Sequence, residues 1–199
     1  MKRIIIISFA WMCLLNCSFA QFNTFIKNFQ KCSLPFIATE STFDMYYAED
    51  DRYVISENDF MKYLMMENDT FVNIKGTKVI GTHKYLAVCK FDVYDNFLGV
   101  LYYRTVNDEN GNLIQELMLS VFTKKGKLIS AYPISGFYIT KRISFDATIF
   151  SAENIEISLY TLEPYEDRWG TWYTRSEDIT YKKYLHITKE GLIQQTNKE

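Results

Sequence analysis

The densest group of residues able to do chemistry is acidic. Glu163, Glu166 and Asp167 stand together in TLEPYEDRWGTWYTRSED, and two carboxylates held about 5 to 10 Å apart could act as acid and base in glycoside cleavage. Acidic runs between strands are more often solvated, so this group alone does not specify an enzyme. Histidine offers less. His83 and His186 are the two histidines of the chain, and the sequence clusters no metal-ligating partners around either. Cys89 and His83 are the nucleophile and base closest in sequence, but six residues of extended chain separate them by about 20 Å at roughly 3.4 Å per residue, beyond proton-transfer reach. In DENGN, Asp108, Asn110 and Asn112 alternate as calcium ligands do. Gly111 is fourth rather than sixth, however, and Leu119 stands where the bidentate glutamate belongs. Nucleophile-elbow, phosphate-loop and dinucleotide patterns are absent. The expectation is a chain with no catalytic residue, metal or cofactor, for which glycoside hydrolysis is the least remote activity.

Binding is a better reading of the same stretch. Tyr165, Trp169, Trp172 and Tyr173 surround Gly170, with Arg168 and Arg175 beside them. Flat rings flanked by carboxylates and arginines on a long loop could stack on a sugar. Alternatively, the tryptophans cap one end of a sheet and shield its core. DMYYAEDDRY, residues 44 to 53, is a second aromatic and acidic segment open to both readings. Three function classes follow. The leading one is a non-catalytic domain binding a protein or peptide through loops or a sheet edge. The second is a carbohydrate-binding module using residues 163 to 175. The third is an up-and-down barrel enclosing a small apolar ligand.

The elements that must position these residues are mostly strands. From about residue 70 the hydrophobic period is two: in KYLAVCKFDVYD, Tyr85, Ala87, Cys89, Phe91 and Val93 alternate with a second set ending in Lys90 and Asp92. FLGVLYYRTV, LIQELMLSVFT, KLISAYPI, RISFDATIF, IEISLYTLE and YKKYLHITK follow, each rich in β-branched and aromatic residues and bounded by polar turns. Asn110-Gly111 is a hairpin dipeptide, and Lys125-Gly126 and Glu190-Gly191 place glycine at the left-handed position of a three-residue loop. The spacing predicts a mostly β domain, an antiparallel meander forming either an open sandwich or a closed up-and-down barrel. One or two short helices precede it. Phe22, Phe25, Ile26 and Phe29 fall at i, i+3, i+4 and i+7, with Pro35 beyond to stop the helix. Ser56 and Asp59 form an acidic capping box ahead of Phe60, Tyr63 and Leu64. STFDMYYA between them reads as extended.

The first twenty residues read as a signal peptide: Lys2 and Arg3, an apolar run from Ile4 to Leu15 too short to span a bilayer, and Ser18, Phe19 and Ala20 before the cut. Export to the periplasm or beyond is expected, with residues 21 to 199 as one β-rich domain. LLNC offers a second cut at which Cys17 is lipidated and anchors the chain. Loss of Lys2 and Arg3 leaves 20 basic against 24 acidic residues, taking the net charge from −2 to −4. That balance gives no electrostatic footprint for nucleic acid, and the mature chain carries no transmembrane span. Cys32 and Cys89 remain. They either pair as a disulfide or stay reduced, with the buried thiol the plainer alternative.

FNTFIKNFQKCSLPF, the later FMKYL, FLGVLYYR, VFTKKGKLISAYPISG and the closing HITKEGLIQQ resemble a group of uncharacterised exported proteins and lipoproteins of Bacteroidetes. That group shares an aromatic helix, Leu-Pro-Phe, an alternating strand and a lysine- and glycine-containing hairpin, and Thr123 departs from its usual acidic turn residue. The resemblance implies an envelope location and a strand-rich fold, and it brings no activity and no site residue.

Overall fold

The computed structural model of the chain describes residues 20–39, 53–65, 84–107, 113–138, 140–168 and 170–196. The signal segment with Cys17, the extended STFDMYYA, most of the 44–53 segment, His83, the Asn110-Gly111 turn and Trp169 lie outside the described residues.

The aromatic stripe near the mature start forms helix α1, whose described turns span residues 20–26. Phe22, Phe25, Ile26 and Phe29 are all buried. The helix ends well before Pro35: single-turn hydrogen bonds to Phe29 wind it down, and the chain enters strand β1 (Gln30–Lys31). Lys90 helps terminate it, since its ammonium donates to the Ile26 carbonyl at 2.7 Å, a cation at the negative end of a helix. After the cis Leu34–Pro35 peptide comes β2 (Phe36–Ala38). The second helix, α2, runs over Glu57–Asp59 and continues as a wider π turn over Phe60–Leu64. Ser56 caps it as the sequence implies, its hydroxyl accepting from the Asp59 N–H at 3.1 Å.

The rest is strand: β3 (Lys84–Val93), β4 (Phe97–Asn107), β5 (Leu113–Thr123), β6 (Leu128–Tyr138), β7 (Ile143–Ser151), β8 (Asn154–Asp167), β9 (Gly170–Arg175), β10 (Tyr181–Ile187) and β11 (Ile193–Thr196). All belong to one sheet in the order β1-β3-β4-β5-β6-β7-β8-β10-β11, with β2 added to β7 and β9 to β8. Only the β1–β3 pair is parallel among these ladders. The mostly β, antiparallel expectation is therefore met, but the sheet is not closed into a barrel.

Instead it folds over at β6, whose last three residues are the ones paired with β7. β11 returns to the first half of β6 without forming a ladder: the Ser130 hydroxyl donates to the Gly191 carbonyl at 2.7 Å and accepts the Ile193 N–H at 3.2 Å. Between the two layers lies the main core, with Phe91, Leu101, Leu119 and Val121 on one side and Ile149, Ile155, Ile157 and Leu185 on the other. A second core covers the outer face of β3–β5, where α1 and α2 pack Phe22, Phe29, Phe60 and Leu64 onto Val100, Tyr102 and Phe122. Burial on both faces explains why β4 and β5 read as nearly continuous apolar runs.

One expectation needs correction. Tyr85, Ala87, Cys89, Phe91 and Val93 do not share a face. A bulge between Ala87 and Cys89 shifts the register, so Tyr85 and Ala87 face the helices while Val88, Cys89, Phe91 and Val93 enter the main core.

The two described glycine loops use one geometry. Thr123 and Lys127 close one around Gly126 (φ 90°), and Thr188 and Leu192 close the other around Gly191 (φ 84°). At Gly126 space is short as well, because a Cβ there would sit 2.4 Å from the Phe22 ring. Gly126→Ala is expected to lower stability by about 2 kcal/mol or more through backbone strain and overpacking combined. Urea denaturation, showing a lower midpoint at unchanged slope, checks this.

Candidate functional site: the β8–β9 ribbon

Residues 163 to 175, expected as a loop, are the arm of a hairpin. β8 is longer than its neighbours: its pairing with β10 ends at Leu159 and with β7 at Thr161, and beyond those residues, among the described residues, only β9 pairs with it. The base of this ribbon is tied down. Leu162 is buried and its N–H reaches the Arg142 carbonyl at 2.9 Å. Arg175 pairs with Asp146 at 2.5 Å and lies 4.1 Å over the Tyr160 ring. Past this anchor the ribbon extends with both faces in water: Glu163, Pro164, Tyr165, Glu166, Arg168, Thr171, Trp172 and Thr174 are exposed.

Register sorts the expected site residues. Tyr165 pairs directly with Trp172, and each is 50% exposed, so two large rings stand side by side on one face. Tyr173 pairs with Pro164 on the opposite face, nearer Leu162 and Arg175. Arg168 is at the turn and exposed. The structure thus brings Tyr165 and Trp172 together and separates Tyr173 from them. Glu163 and Glu166, three residues apart on a regular strand, point to opposite faces and do not converge as an acid and base pair would.

The Tyr165–Trp172 face has a further property. Along β8, Ile155, Ile157 and Leu159 point to the main core, and Tyr165 occupies the same alternate set of positions beyond the exposed Thr161 and Glu163. The aromatic pair is the core-facing side of the sheet carried past the point where the other layer covers it. The edges of the ribbon also differ. Pro164 has no N–H to offer, which blunts the free edge of β8, whereas β9 contains no proline and among the described residues no strand pairs with its outer edge.

Other candidates resolve differently. His186 hydrogen-bonds through Nδ1 to the Thr196 hydroxyl at 2.8 Å, a cross-strand packing role. No group of three or more metal-ligating side chains occurs among the described residues. A buried polar cluster emerges that the sequence reading missed: Arg104 and Glu116, opposite each other on β4 and β5, form an ion pair at 2.5 Å, with side chains 5% and 2% exposed. The Tyr138 hydroxyl donates to the second Glu116 oxygen. The hairpin signal alone would not have paired them, since a two-residue Asn110-Gly111 loop sets Arg104 opposite Leu117, one residue away from the observed register.

Burial, and after it the Glu116 charge, push the Tyr138 phenol well above its ordinary value. Because the folded state holds that proton more tightly, its contribution is fully present below the ordinary tyrosine pKa of about 10. It is lost as pH rises from there toward the folded value. Stability is expected to fall above pH ~10, with a shallower alkaline limb in Tyr138→Phe. Equal limbs in denaturation series at stepped pH would refute this.

No protein-family model, curated protein or solved structure matches the chain.

Proposed function

We propose that the chain is an exported, non-catalytic binding domain of the cell envelope whose β8–β9 ribbon captures an extended peptide segment of a protein partner. The observation that carries this reading is the Tyr165–Trp172 pair, set half-exposed on the core-side face of a ribbon whose β9 edge has no strand partner among the described residues. A peptide aligned along β9 would gain backbone hydrogen bonds from the edge, and the adjoining rings would cover its alternate side chains. Aromatic anchors of this kind dominate interface energetics. The signal-like N-terminus and the acidic mature chain support an envelope location and a partner other than nucleic acid.

The same rings support a second reading, a carbohydrate module, because two adjacent exposed rings can stack on a sugar face. Peptide and glycan arrays probed with the wild-type chain and with Tyr165→Ala/Trp172→Ala separate the two. The peptide reading expects saturable peptide binding that weakens at least about 30-fold in the double variant, the effect of losing about 2 kcal/mol at a hot spot. Stability should be nearly unchanged because both rings are half in water. Binding to glycans alone selects the second reading, and peptide binding indifferent to both substitutions removes the ribbon from either.

A further inference from the structure

The segment between β1 and β2 links the two layers. β1 lies parallel to β3, in register Gln30 with Cys89 and Lys31 with Lys90, and β2 joins β7 in the other layer. Cys32 is the first residue after β1. Its N–H donates to the Lys90 carbonyl at 3.0 Å, and its Sγ lies 3.5 Å from the same oxygen. Cys89 is buried beside the β3 bulge, Cys32 is partly exposed, and both pack against the main core. The β1–β3 register thus sets Cys32 two residues along from the position opposite Cys89, and the two thiols are unequal in access, Cys32 partly exposed and Cys89 buried. Hydrogen bonding with Cys89 lowers the Cys32 pKa, while that interaction and burial push the Cys89 thiol up.

We propose that Cys32 and Cys89 are a reversible thiol–disulfide pair, in which the partly exposed Cys32 reacts first and the buried Cys89 resolves, latching the layer-crossing segment onto β3. The oxidant is an external disulfide, either a small molecule or a protein. The Cys32 thiolate attacks one of its sulfurs, forming a mixed disulfide and releasing the other sulfur as a thiolate. Cys89 then gives up its proton and attacks Cys32 Sγ. This forms the Cys32–Cys89 bond and releases the second thiolate. Two protein thiols are oxidised, one external disulfide is reduced to two thiols, and the two protons leave with them. The thiolate is the reacting species, so the lowered, accessible partner leads.

The test uses the full chain and oxidised glutathione, followed by acid quenching, alkylation and peptide mapping, which separates these residues from Cys13 and Cys17. The expected product is a Cys32–Cys89 linked peptide that dithiothreitol reverses. Cys89→Ser should stop at a stable glutathione adduct on Cys32, and Cys32→Ser should slow modification of Cys89 at least about tenfold. If either variant fails to fold, the wild-type map decides alone. A persistent glutathione adduct on wild-type Cys32, or both thiols alkylated throughout, would overturn the proposal.

Discussion

Glu116→Ala is expected to destabilise the domain by about 3 to 5 kcal/mol, because it removes the carboxylate that is ion-paired with the buried Arg104 guanidinium. Arg104→Ala should cost a similar amount by exposing Glu116 to the same penalty. The double replacement Arg104→Met/Glu116→Leu should recover most of the loss, since a buried pair exchanged for apolar side chains of similar volume is close to neutral. Denaturant curves of the three variants give the result. A single substitution costing under about 1 kcal/mol would mean that the pair is solvated in solution, as exposed pairs are. The Lys31–Asp92 bridge, with both side chains more than half exposed, supplies that weak comparison within the same molecule.

Oxidation of Cys32 and Cys89 should raise stability by about 4 kcal/mol. The two residues stand about 57 positions apart, and restricting a denatured loop of that length carries this magnitude in the chain-entropy description. The gain should vanish in Cys32→Ser, whose stability would then be insensitive to dithiothreitol. Paired thermal melts, with and without reductant, provide the check. No shift on reduction of a confirmed disulfide would show that the native linkage is strained enough to cancel the entropic gain.

Much of this architecture is legible in the residue pattern, and the parts that are not have identifiable causes. Strands β3 to β8 and β10 announce themselves because each has at least one buried face, and glycine turns mark the ends of β5 and β10. The stripe of Phe22, Phe25, Ile26 and Phe29 is visible for the same reason at helical period. β9 was hidden because GTWYTR has no buried face and so no alternation to read. β1 and β2 are two and three residues long and owe their conformation to β3 and β7 rather than to their own sequence. The bulge at Val88 kept an unbroken-looking alternation while reversing the faces on either side of it. At the site, the aromatic cluster was visible by composition, but only register could show that Tyr165 and Trp172 share a face and that Tyr173 does not. The placement of Cys32 just past β1, the strand beside Cys89, is likewise a product of topology, invisible to local spacing.

The most direct test of ribbon recognition is amide hydrogen exchange of the chain with and without a saturating peptide taken from the array. Edge capture expects new protection at alternate amides of Gly170–Arg175, and loss of that protection in Tyr165→Ala/Trp172→Ala. Protection appearing instead along Ile193–Thr196 or Phe36–Ala38, with β9 unchanged, would contradict it and move recognition to another edge of the sheet.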